Sequence, residues 1–241
     1  MPTGGPLSVF GGSRRLAGVT PTGVSGRLVW VTLVALILIT GAFATIRVSI
    51  DWPNVASGTV PPDDSYDQRY ALHPVLAYAH ILPGVLYLVG APLQLSRRFR
   101  ERHFTLHRRL GRVLLPAGIT AGVFAIAFGA PYAFGGLSES SATVLFAAYF
   151  LVALVTAFAA IKAGDVTGHR RWMIRAFAIG LAVGTIRIWV GVFQATGLLS
   201  LEDSFGPAFW LAFVLHALAA ELYLSRRPSA LPRASRRVVT T

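Results

Sequence analysis

Three ionisable side chains sit where lipid should exclude them. His80, Arg187 and His216 each fall near the middle of a long apolar stretch. Counting ~1.5 Å of rise per residue from the ends of those stretches puts all three within roughly one helical turn of the bilayer midplane. Ionisable groups at that depth are costly and mark functional sites by default. An imidazole can ligate haem iron or accept a proton. A guanidinium offers planar donors to a carboxylate, such as a haem propionate, or to a quinone oxygen. The bland alternative is capping by neighbouring backbone carbonyls. No acid is expected at the depth of Arg187, since Glu221 lies near the far end of its own stretch.

A second set of chemical residues comes as two similar segments, His107-Arg108-Arg109-Leu110-Gly111-Arg112 and His169-Arg170-Arg171-Trp172-Met173-Ile174-Arg175. Each opens an apolar stretch after a basic connection, so His107 and His169 share a depth. They could hold a metal or haem between them, with Arg108 and Arg175 taking an anion. Flanking arginines that only snorkel to the interface are the plainer reading. His73 lies seven residues before His80, ~10 Å away along a helix, so those two cannot chelate one metal ion. Phosphate-loop, dinucleotide, zinc-protease and Gly-x-Ser-x-Gly motifs are absent.

These groups need helices in lipid to hold them. Of the 241 residues, 54% are hydrophobic and 13% charged, against about 25% charged in a soluble domain. Six stretches reach the ~20 apolar residues a bilayer core demands: Leu28–Val48, Ala71–Leu95, Leu110–Phe134, Ala142–Ile161, Trp172–Thr196 and Pro207–Leu224. The expected fold is an all-α, polytopic transmembrane bundle over residues 28–225. Residues 1–27 and 226–241 read as disordered basic tails. Ala42-Phe43-Ala44 fits a signal-cleavage pattern, but apolar sequence continues to Val48, so the stretch is read as a span.

Basic residues set the orientation. Arg14, Arg15 and Arg27, the seven arginines from Arg97 to Arg112, Lys162 with Arg170, Arg171 and Arg175, and the five from Arg226 to Arg237 lie on alternate connections. These are expected to be cytoplasmic, with both termini, in a bacterial plasma membrane. The opposite side holds Arg47 and Arg69 among seven acids. The net charge of +12 is thereby explained without a nucleic-acid partner. With no cysteine, disulfides and thiolate metal sites are excluded.

Small and polar residues recur along one face of the second, third and fifth spans, which are expected to form the bundle centre. The uniformly apolar first and fourth spans are expected at the lipid-facing periphery. On that reading Gly184→Leu disrupts packing and Leu36→Ala is mild.

Residues 70–195 carry a chain of motifs: His73-Pro74, His80, Gly84 and Gln94, then His107-Arg108 with Gly111-Arg112, Gly135-Gly136, His169-Arg170-Arg171-Trp172-Met173 with Arg175, and Arg187. This pattern resembles a bacterial family of predicted membrane proteins catalogued as domain of unknown function 2306. The resemblance implies a membrane protein and supplies no reaction. It includes His107 and His169 and leaves out His216. Four membrane histidines also look like b-type cytochromes, from which the seven-residue spacing of His73 and His80 departs. The leading expectation is a redox-type protein binding haem b or a metal through its histidines. A small-molecule permease, with a quinone or other small ligand, and a non-catalytic assembly factor are the alternatives.

Overall fold

The computed structural model describes residues 24–63 and 65–226. The two expected tails lie almost wholly outside the described residues, as does Asp64. The described chain is all helical, in the order α1 (Val24–Ser57), α2 (Gln68–Leu72), α3 (Pro74–Leu95), α4 (Arg97–Arg102), α5 (Phe104–Gly129), α6 (Gly136–Lys162), α7 (Val166–Thr196) and α8 (Leu201–Ser225). Among the described residues, six helices (α1, α3, α5, α6, α7 and α8) are long and apolar enough to cross a membrane.

Local chemistry sets the helix ends. Pro74 occupies the first position of α3, where its missing N–H costs nothing. Ser96 Oγ accepts from Phe99 N at 3.3 Å, Asp165 Oδ1 from Gly168 N at 2.8 Å, and Ser200 Oγ from Asp203 N at 3.0 Å. These caps satisfy amides that open α4, α7 and α8. Gly197 ends α7 with φ of +65°, a left-handed turn that favours glycine.

The helices pack as α3 on α5, α5 on α6, and α6, α7 and α8 on one another, with α1 set against α7 and α3. Close approach depends on glycine. A Cβ on Gly118 would lie 2.9 Å from the Tyr87 ring, and one on Gly184 would lie 2.7 Å from the Leu36 carbonyl oxygen. Backbones this close are how helices associate in lipid, where apolar burial alone supplies no drive.

Three expectations are corrected. The second, third and fifth spans do not form the centre together, because α5 and α7 make no contact among the described residues. The fourth span, α6, is not peripheral. It buries Phe146, Phe150, Leu154, Ala142, Ala153 and Ala157 between α5, α7 and α8. A helix apolar all round suits a core as well as lipid, so uniformity could not distinguish them. The first span is peripheral, with 6% of its most apolar window buried. Leu36 is nonetheless 6% exposed, because it seats on Gly184, so Leu36→Ala should not be mild.

Candidate functional site in the central cavity

A cavity of about 510 Å³ opens inside the half of the bundle opposite the arginine-rich connections. That volume suits a small-molecule ligand. Helix α1 supplies Phe43 and Arg47, the α2 region Tyr66, Arg69 and Tyr70, α3 His80, Gly84 and Tyr87, α6 Glu139 and Thr143, and α7 Ile179 and Arg187. Polar groups gather at the mouth. The floor, around Leu88, Phe150, Ile179 and Phe213, is apolar.

The mouth is built from three arginines in different circumstances. Arg47 donates Nε to Asp51 Oδ2 at 2.8 Å and Nη1 to Asp67 Oδ1 at 2.6 Å, and its Nη2 pairs with Asp51 Oδ1. Tyr78 on α3 donates its hydroxyl to Asp51 at 2.9 Å. This network ties α1 to α2 and α3, and Asp51 is 1% exposed. Arg69 donates Nη1 to the Tyr132 carbonyl at 2.9 Å and lies 3.8 Å from Glu139. Glu139 is fixed by the Gly135 amide at 2.6 Å. Among the described residues, no carboxylate lies within ion-pair distance of Arg187. Its Nη1 approaches the Tyr66 hydroxyl at 3.4 Å and its guanidinium lies 5.4 Å from the Phe43 ring centroid.

Tyr66 joins these groups. Its hydroxyl lies 3.0 Å from that of Tyr70, and its ring stacks beneath the Arg69 guanidinium at 4.4 Å. Burial opposes ionisation of Tyr66, but the positive charges of Arg187 and Arg69 outweigh it and hold the phenol down at about 8. Burial and the neighbouring Tyr66 push Tyr70 up. One proton therefore leaves the pair well before the second.

His80 lines the same cavity, and its Nδ1 lies 2.9 Å from the Ala121 carbonyl oxygen. A carbonyl only accepts, so Nδ1 carries the proton and Nε2 keeps its lone pair. Three buried polar atoms without a partner also belong to cavity residues: Arg69 Nε, Tyr87 Oη and Thr143 Oγ1. Buried polar groups are ordinarily paired, and these three atoms are enclosed within the cavity walls rather than open to its space.

The remaining sequence candidates are dispersed. His216 Nε2 bonds Thr185 Oγ1 at 2.8 Å and lies off the cavity lining. His73 stacks on Tyr132 at 3.8 Å between centroids. His169 Nδ1 donates to the Ala157 carbonyl at 2.9 Å. His107 lies within electrostatic reach of His169 and Arg100, and its Nδ1 is buried without a partner. Arg175 is bound to Glu221 at 2.6 and 2.9 Å and covers Trp172, which explains it as an interhelix tie. Arg108 is exposed at the start of α5. Among the described residues, no group of three or more His, Asp or Glu side chains gathers to hold a metal ion.

Sequence reasoning reached His80 and Arg187 and missed Arg47, Tyr66, Arg69, Tyr70 and Glu139. A signal was present: Arg47 and Arg69 are the two basic residues on the acid-rich side, against the charge asymmetry that explains the rest.

No curated protein and no solved structure matches the chain. One family model matches residues 77–224, a stretch that takes in His80, His107, Glu139, His169, Arg187 and His216 and leaves out His73, Tyr66 and α1. That model describes a predicted membrane protein family (DUF2306) and spans more than half of the chain, which belongs to this family.

Proposed function

We propose that the protein binds a lipid-soluble small molecule in its central cavity, head towards Arg187 and body among the apolar side chains of the floor. The observation that carries this reading is the Arg187 guanidinium, which among the described residues meets Tyr66 and Phe43 but no carboxylate within ion-pair distance. A buried charge without a counter-ion is expensive, and a ligand oxygen would relieve it. The reading makes the chain a binding protein or carrier for small amphiphiles, in a membrane oriented with its arginine-rich connections in the cytoplasm. The test is binding to purified protein in lipid nanodiscs, using decyl-ubiquinone and a dibrominated stearate as quenchers of tryptophan fluorescence. Trp189 and Trp210 pack against the bundle core and should report a bound quencher. Saturable quenching by either probe is expected. Quenching that only rises linearly, as simple partition into lipid does, would refute it.

Haem b is a second reading, favoured by one observation. With His80 Nδ1 donating to Ala121, Nε2 has the orientation-fixed lone pair that axial ligands present. Protein from haem-replete cells would then show a Soret band lost in His80→Ala. Colourless folded protein that takes up no added haemin removes this reading and leaves the first untouched.

A further inference from the structure

The polar mouth of the cavity is selective for charge as well as polarity, and its ion pairs show for which charge. Its acids are already engaged. Asp51 and Asp67 both bind Arg47, and the Asp67 side chain is 38% exposed, so water screens it. Glu139 lies within electrostatic reach of Arg187, yet its oxygens are directed to the Gly135 amide and Arg69. Among the described residues, the mouth arginine without a direct ion pair is Arg187, on the inner side. A neutral head such as a quinone carbonyl would accept a hydrogen bond there and leave the charge uncompensated in low dielectric. A doubly charged phosphate would overshoot it and meet Glu139.

A carboxylate fits both the charge and the shape. Its two coplanar oxygens match a guanidinium fork, and the Tyr66 hydroxyl stands beside Arg187 to donate as well. The space below is walled largely by aliphatic and aromatic side chains such as Ile179, Leu88 and Phe213. Resting on the binding reading above, we infer that the ligand is a monocarboxylate with a long aliphatic body, held by Arg187 through its carboxylate.

The experiment uses the whole chain in phosphatidylcholine nanodiscs, with tryptophan quenching by dibrominated stearate as signal and unlabelled competitors of one chain length. Oleate is expected to displace the probe at least about tenfold better than oleyl alcohol, the step expected for one charge-assisted hydrogen bond. Arg187→Gln should abolish that preference, and Arg187→Lys should restore part of it. Because the oleate and alcohol comparison is made on the unaltered protein, a variant that fails to fold does not decide the matter. Equal displacement by oleate and oleyl alcohol would overturn the carboxylate assignment while sparing the cavity as a binding site. Absence of saturable quenching by the stearate and by decyl-ubiquinone would overturn both.

Discussion

Gly184→Ala measures how closely α1 must approach the bundle. The added Cβ would stand 2.7 Å from the Leu36 carbonyl oxygen, 3.0 Å from Thr40 Oγ1 and 3.2 Å from Leu36 Cβ. Ordinary contact begins near ~3.5 Å, and the first of these atoms is backbone, so no rotamer change relieves it. Helix α1 would have to retreat by roughly 0.8 Å, the shortfall against ordinary contact distance. Overpacking of this kind costs about 1–3 kcal/mol. Glycine-to-alanine exchange also adds helix propensity of up to about 1 kcal/mol, which the right control cancels. Gly191 lies on the same helix with nothing within 4 Å of its Cβ position. Gly184→Ala should therefore melt below Gly191→Ala by about 2–12 °C, taking ~2–4 °C per kcal/mol for a chain of this size. The assay is fluorescence-detected size-exclusion chromatography after stepwise heating in one detergent. Equal midpoints for the two variants would refute the packing argument. Leu36→Ala should fall on the destabilised side too.

Two further outcomes are expected. Ultraviolet difference absorbance should show one tyrosinate forming at about pH 8 and missing in Tyr66→Phe. Its ionisation lies below the ~10 of an unfolded tyrosine, so the stability it adds is fully present above pH ~10 and is lost as pH falls through ~8. Stearate affinity should move the other way, weakening above pH ~8 as the phenolate competes for Arg187; affinity flat across this range would count against that competition. Reporter fusions after Val60, Leu137 and Glu202 should read outside, and after Phe104 and Gly168 inside, from the distribution of flanking arginines; one inversion among the five would defeat the assigned orientation.

Much of the architecture was legible because lipid leaves few choices. A bilayer demands long apolar helices with satisfied backbones, so six spans and an all-helical fold could be read from composition and length. Which helix is central was less legible. Leu154 and Ala153 on α6 are as apolar as any lipid-facing side chain, and only their neighbours distinguish the two settings. At the site, His80 and Arg187 stood out because they are polar in apolar surroundings. Tyr66 and Tyr70 did not, because the connection carrying them reads as a polar loop. Nothing local in the sequence says that it folds back over the cavity, with Tyr66 against Phe134 and Phe205. His107 and His169 were paired from similar segments at one depth, and His80 and His216 were placed together near the midplane by depth alone. Depth fixes height along the bundle but not the direction a helix face points, and His216 turns to Thr185.

The Arg47–Asp51 pair bears on how the chain enters its membrane. The two residues stand four apart on one helix, so they meet as α1 coils, without needing Asp67 or Tyr78. A lone guanidinium resists leaving water for the translocon; with Asp51 beside it, the segment travels as a neutral unit. Once the later segments arrive, the same carboxylate accepts from Tyr78 and the same guanidinium reaches Asp67. The pair that lowers the cost of carrying Arg47 in lipid is thus also the one that docks the first helix on α2 and α3.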